Sequence, residues 1–210
     1  MTIHTLLIGT NIDAPYHPLG AVEGRLIDIL RDTAEVTTAE GTGSLREERL
    51  RQVELCISYT DSWNQAPAAE ETAGLLQFVA AGGGLLVIHN GISLQASPEL
   101  AQLIGAKFTG HPEYTKLDFR LADPDHPLAQ GLGDFTMEEE PYRFELDPLA
   151  EPAILLTYAH EGQDWPAAWV RHYGLGRVVF LMPGHHLPSF GHEAYGRWIV
   201  NAAKWAAGRL

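Results

Sequence analysis

The side chains best suited to chemistry in this sequence are imidazoles and carboxylates set just beyond stretches that read as β-strands. The loop after the first strand carries Asn11, Asp13 and His17, and the loop after the third carries Asp61, Trp63 and Asn64. The fourth strand runs directly into His89-Asn90-Gly91, and a late strand ends in Gly184-His185-His186. A neutral imidazole ligates metals and titrates near neutral pH, so these positions suit proton transfer or cation binding better than acyl transfer. No Gly-x-Ser-x-Gly elbow is present, and Cys56, between Leu55 and Ile57, reads as an inert buried thiol. Neither His-Glu-x-x-His nor paired cysteines occur, so a site joining histidines to Glu140 must be long-range. Gly82-Gly83-Gly84 precedes its strand, whereas a phosphate-cradling loop follows one, which disfavours a nucleotide site.

Each of these residues also has a plainer reading. His89 fits a core histidine bonded to a backbone carbonyl, and His17, between Pro15 and Pro18, fits a surface loop. His185-His186 suits a turn after Pro183-Gly184, and His126 lies in the turn sequence Asp123 to Pro127. His4, His172 and His192 fit surface or packing positions. Glu138-Glu139-Glu140 fits a solvated acidic run, with only Pro141-Tyr142 beside it pointing further.

The elements that must position these groups alternate in type. Residues 3–9 form an apolar run closing on Gly9, and Leu26, Ile27 and Leu30 mark a helix over 21–30. Strands follow around Val36 and over 53–59, then a helix opening at Pro67, then the strand Leu85 to Ile88. This alternation predicts a doubly wound, mostly parallel sheet. In the second half, 114–121 and 153–158 read as strands without long helices between them. Trp169 to Tyr173 and Arg177 to Met182 flank Gly174-Leu175-Gly176 as an antiparallel hairpin. Tyr195, Trp198, Ile199, Ala202, Trp205 and Ala206 share one face of a closing helix. No repeat or linker divides the chain, so residues 1–210 read as one α/β domain with an insertion-like 110–150 region. In open parallel sheets ligands bind beyond the carboxyl ends of the strands, near the point where strand order reverses. That rule gathers the four loops into one crevice, provided the hairpin's second strand rejoins the sheet.

Composition narrows the partners. Lys+Arg number 14 against 27 Asp+Glu, a formal charge of −13, so no basic surface is expected for nucleic acid or an anionic membrane. The single cysteine, the short apolar amino terminus without a basic leader, and the absence of a membrane-length apolar run predict a cytoplasmic protein. The acidity also favours a neutral substrate over an anionic sugar phosphate. Aromatic residues in the 110–150 region are candidates for a homodimer contact.

Taken in order, these residues carry a resemblance. Tyr16-His17, Gly83 to His89, Gly110-His111-Pro112, Asp125-His126-Pro127-Leu128 and Glu139-Glu140-Pro141-Tyr142 are similar to segments of the trehalose-utilisation (ThuA-like) family. So are Pro166 to Trp169, Tyr173 to Val178, Gly184-His185 and Trp205 to Gly208. The resemblance implies a class I glutamine amidotransferase-like fold, a flavodoxin-like sheet with extra antiparallel strands. His89 takes the elbow position where amidotransferases of that fold carry cysteine, so glutamine hydrolysis is not implied. Glu139 stands where the family commonly shows Asp.

The resemblance further implies sugar catabolism, with 3-keto sugars among the substrates, and raises His17, His89, His111, Glu140 and His185 above their plainer readings. The expected activity is proton transfer on a neutral sugar or keto-sugar, as an isomerase or a lyase/hydrolase. Glu140 is the expected base, with His89 and His185 polarising the carbonyl or donating the proton. His17, His111, Asp61, Trp63 and Tyr142 are expected at the substrate. No cofactor is fixed by a motif, and a divalent metal is a candidate at the histidines. A sugar-binding accessory subunit and a metal-dependent hydrolase are the alternatives.

Overall fold

The computed structural model describes residues 2–210. The first half alternates as expected: β1 (Ile3–Gly9), α1 (Glu23–Leu30), β2 (Ala34–Glu40), α2 (Glu47–Leu50), β3 (Leu55–Tyr59), α3 (Ala69–Ala80) and β4 (Gly84–Ile88). Every residue of β3 and β4 is buried, as strands covered on both faces require. Helix α3 begins beyond Pro67 rather than at it. The Glu71 carboxylate accepts the Ala68 N–H at 3.0 Å and closes the first turn there. Then follow α4 (Pro98–Ile104), β5 (Ala106–Gly110), β6 (Thr115–Leu121), β7 (Phe135–Glu139) and β8 (Arg143–Leu146). The chain closes with β9 (Ala153–His160), β10 (Gln163–Tyr173), β11 (Gly176–Leu181), α5 (Leu187–Gly191) and α6 (Glu193–Ala206). Helix α4 lies outside the sequence reading, although Ser97-Pro98 signals its start and Gly105 (φ 88°) its end.

Nine strands form one sheet in the order β2-β1-β3-β4-β11-β10-β9-β6-β7, and β5 pairs with β8 in a small second sheet. From β2 to β11 every pairing is parallel; from β11 to β7 every pairing is antiparallel. The first five positions reproduce the flavodoxin-like order, with β11 as the fifth strand and the reversal between β1 and β3. Helix α1 packs on α6, and α3 on α4, giving helical layers against the parallel half. The β10–β11 turn is tight, with Tyr173 paired to Gly176 and Gly174 at φ +58°. A Cβ on Gly174 would lie 2.6 Å from the Ala80 carbonyl oxygen, so glycine is required on two counts. Among the described residues no helix is long and apolar enough to cross a membrane.

Cys56 lies within β3 with no exposure, and burial pushes its thiol up to about 12. A thiol so rarely ionised at pH 8 is a poor nucleophile. Ellman's reagent is therefore expected to leave the native protein unmodified for hours and to titrate one thiol promptly in denaturant. Rapid reaction of the native protein would place Cys56 elsewhere.

Candidate functional site

The register of β4 against β11 pairs Ile88 with Leu181, so His89 emerges level with Met182 at the carboxyl edge of the sheet. His89 has φ +48°, a conformation bulky residues rarely adopt, and this turns the chain sharply from strand into the short 3-10 helix His89–Ala96. The turn is held from several sides. The His89 Nδ1–H donates to the Met182 carbonyl at 2.7 Å, and Asn90 Nδ2 donates to the carbonyls of Tyr59 and Thr60 at 3.1 and 2.9 Å. Gly91 lies so close to β3 that a Cβ there would fall 2.1 Å from the Ser58 carbonyl oxygen. His89 is thus both the carbonyl-bonded core histidine of the plainer reading and a functional candidate, because its other nitrogen faces the neighbouring loops.

Three imidazoles gather on one carboxylate oxygen. Glu140 Oε2 lies 3.0 Å from His185 Nδ1, 3.4 Å from His89 Nε2 and 3.8 Å from His17 Nε2. His17 Nε2 and His185 Nδ1 are themselves 3.0 Å apart. One ligand-type atom from each of the four residues lies within 4.8 Å of all the others. Behind His17 stands Asp61, with Oδ2 at 3.5 Å from His17 Nδ1 and Oδ1 accepting the Trp63 indole N–H at 2.6 Å. His17 and Asp61 come from the loops after β1 and β3, the two strands that flank the reversal of order, and His185 comes from the loop after β11.

The environments push these groups apart. Burial pulls His17 down, but hydrogen bonds and charges from Asp61 and Glu140 outweigh it and raise His17 above its ordinary value. Burial dominates at His89 and lowers it. Burial would raise Glu140, yet the imidazoles of His17, His185 and His89 overcome it and hold the carboxyl far below the usual carboxylate range. Asp61 is lowered likewise, with burial outweighed chiefly by His17. Neighbouring groups held in opposite protonation states are the arrangement acid–base sites use.

The trehalose-utilisation family model, ThuA, matches residues 18–206. The chain belongs to the ThuA family. A ThuA-like protein from Parabacteroides merdae superposes with a TM-score of 0.84 at 18% identity, over 99% of this chain and 90% of that one. One from Bacteroides uniformis gives 0.79 at 17% identity, over 97% and 91%. A β-galactosidase from Bacillus circulans sp. alkalophilus gives 0.65 at 12% identity, over 97% of this chain but 31% of that chain. At such identities the likeness is one of fold. No protein among the curated sequences matches the chain.

Within this ThuA-family fold the remaining candidates take different places. His111, in the loop after β5, lies at the rim with its side chain 38% exposed, its Nδ1 3.9 Å from Glu140 Oε1 and 2.8 Å from the Pro112 carbonyl. Tyr142 is 1% exposed and stacks on His89 with centroids 4.1 Å apart, so it orients that imidazole and leaves no open face for a sugar. Trp63 packs on Phe108 and steadies Asp61. Asn11 turns away to bind Glu40 and the Gly20 N–H. His126 accepts the Leu128 N–H in its turn, and His192 accepts the Tyr195 N–H at the start of α6.

Glu139, which no sequence motif singles out for a role, is a principal support of the site. Fully buried, it accepts the Gly184 N–H at 2.8 Å, the Ser189 hydroxyl at 2.7 Å and, more weakly, the His185 N–H at 3.3 Å. Its carboxylate thereby ties the end of β7 to the loop that presents His185. The alternation buried-exposed-buried along β7 points Glu139 inward, a signal readable only once β7 is recognised as a strand. Glu139→Ala would strand several buried donors at about 1–3 kcal/mol each. The expected result is a melting temperature lower by at least roughly 6 °C, measured by circular dichroism.

Proposed function

We propose that this ThuA-family protein is an enzyme of carbohydrate catabolism that moves a proton at a carbon beside the carbonyl of a neutral keto-sugar. The observation that carries the reading is the convergence of three imidazoles on one carboxylate at the reversal point of the sheet. A proton next to a carbonyl is acidic, and it leaves readily when charge developing on the oxygen meets fixed electropositive groups. The cluster supplies those groups. Glu140 Oε2 is occupied by imidazoles, so its role is to hold them in place rather than to act as a free base. Proton removal falls to His111, the exposed imidazole at the rim, whose Nδ1–H bonded to Pro112 leaves Nε2 with the lone pair.

The step balances simply. The C–H proton passes to His111 Nε2, the bonding pair becomes the C=C of an enediolate, and the carbonyl oxygen takes the negative charge. In a 3-keto glycoside the proton removed is on C2, and the aglycone on C1 lies β to the carbonyl; the C3 carbonyl then re-forms, a C1=C2 double bond forms, and the C1–O bond breaks as the proton held on His111 Nε2 passes to the departing oxygen. Delivery of the proton to the former carbonyl carbon, with the C2 hydroxyl proton passing to the C3 oxygen, moves the carbonyl to C2 and gives isomerisation instead. The test is proton exchange in deuterated water, followed by NMR, with 3-keto glycosides and their parent glycosides. The wild type is expected to exchange or cleave a keto substrate, and His111→Ala to lower kcat by about 10²–10⁴-fold with little change in KM. Sugar binding by calorimetry with neither exchange nor cleavage of any substrate would overturn the enzyme reading in favour of an accessory binding protein.

A further inference from the structure

We propose that His17 Nε2, His89 Nε2, His185 Nδ1 and Glu140 Oε2 form a site for one first-row divalent cation. The inference rests on reading this pocket as the functional centre, and adds the ion that would supply its positive charge. Ligand atoms about 2.0–2.2 Å from a four-coordinate ion lie roughly 3.3–3.6 Å from one another. The separations to Glu140 Oε2, at 3.0, 3.4 and 3.8 Å, bracket that spacing, and the His17–His185 pair sits at 3.0 Å. These four separations are near coordination spacing, and every donor atom of the ring lies within 4.8 Å of the others.

A second observation points the same way. His89 is fully buried, and its Nε2 has no hydrogen-bond partner. Its Nδ1–H is committed to the Met182 carbonyl, which places a lone pair on that buried Nε2. An unpaired acceptor at this depth is costly unless something binds it. The supports around the ring are those of a metal centre. Met182 O fixes the tautomer of His89, and Asp61, itself held by Trp63, stands behind His17 Nδ1. Three nitrogens and one carboxylate oxygen favour zinc, manganese, iron or cobalt over calcium or magnesium, which prefer oxygen ligands throughout. The side chains of Glu140 and His185, 12% and 22% exposed, open the ring toward solvent, where a sugar carbonyl would arrive as a further ligand.

The experiment uses the full chain, purified without chelator or affinity tag. Elemental analysis is expected to find about one equivalent of a first-row ion, and the stripped protein to bind Zn²⁺ or Mn²⁺ with 1:1 stoichiometry by calorimetry. Added Co²⁺ should develop a visible d–d spectrum. His89→Ala and Glu140→Gln should each abolish that spectrum, as should His185→Ala, a less buried change that keeps the test valid if His89→Ala folds poorly. Asp61→Asn should weaken the metal by about 10–100-fold, while His172→Ala, remote from the ring, should bind like wild type. Failure of Zn²⁺, Mn²⁺ and Co²⁺ all to bind at micromolar concentration overturns the site, as does binding that survives loss of both His89 and His185. The two readings separate cleanly. Exchange catalysed by metal-stripped protein in chelator would retain the enzyme and remove the cation from its reaction. Stoichiometric metal with no sugar turnover would retain the cation and remove the enzyme.

Discussion

Replacing Glu140 with alanine is expected to lower turnover on the order of 10³-fold while leaving the fold in place. Glu140 Oε2 is the acceptor on which His17, His89 and His185 converge, so its removal unties all three imidazoles together. His17 also loses one of the two carboxylates that keep it above its ordinary pKa. The fold should survive because the side chain carries no backbone hydrogen bond, unlike the neighbouring Glu139, which accepts two backbone N–H groups from the His185 loop. Adjacent acidic residues therefore give opposite phenotypes: Glu140→Ala inactive with a near-native melting curve, Glu139→Ala unstable. Steady-state kinetics on the exchanging substrate, paired with thermal melts, measure both. Wild-type kcat in Glu140→Ala would remove the cluster from the mechanism.

A large loss of stability is expected at Gly91. An added methyl would lie 2.1 Å from the Ser58 carbonyl oxygen and 2.8 Å from its carbon, both in the backbone of a central strand. That strand is hydrogen-bonded on both sides and has no room to yield, so Gly91→Ala should cost at least about 4 kcal/mol. In a chain of this size the melting temperature then falls by roughly 8–16 °C, or the protein is recovered insoluble. Gly24, within α1, has nothing within 4 Å of the equivalent position. There alanine should stabilise by about 0.5–1 kcal/mol, because it only removes glycine's excess freedom. Thermal melts of the two variants side by side distinguish a packing requirement at Gly91 from a general intolerance of substitution. Melting within 2 °C of wild type for Gly91→Ala would contradict the close approach.

Much of the parallel half was legible because it obeys local rules. Apolar runs closing on polar loops gave β1, β3 and β4, and the carboxyl-edge rule then drew together His17, Asp61, His89 and His185, which lie side by side in the structure. Glu140 stood in the sequence only as one of three consecutive acidic residues, and the family resemblance was what set it apart from its neighbours. It follows β7, four strands from β11 in the sheet order, yet the Glu139–Gly184 hydrogen bond shows that the end of β7 meets the loop after β11. The antiparallel half folds back over the edge of the parallel half, and sheet curvature of that kind leaves no periodic mark on the chain. Tyr142 shows the same limit. An aromatic beside an acidic run reads as a surface platform, and only tertiary packing under His89 and beside Phe108 reveals it as a buried prop.

Strand β11 sits beside β4 in space but follows it in sequence only after the whole insertion-like region and the strands β9 and β10. During synthesis at roughly 5–20 residues per second, the ~90 residues between them emerge over about 5–20 s. For that interval the nascent chain presents the open edge of β4, a run of Leu85, Leu86, Val87 and Ile88, with its partner strand still unmade. An apolar strand edge left bare for seconds is a template for pairing with other chains. The ribosome-bound intermediate of this protein is thus a natural client for chaperones. Chains cut short before Leu181 should aggregate however complete their first four strands are.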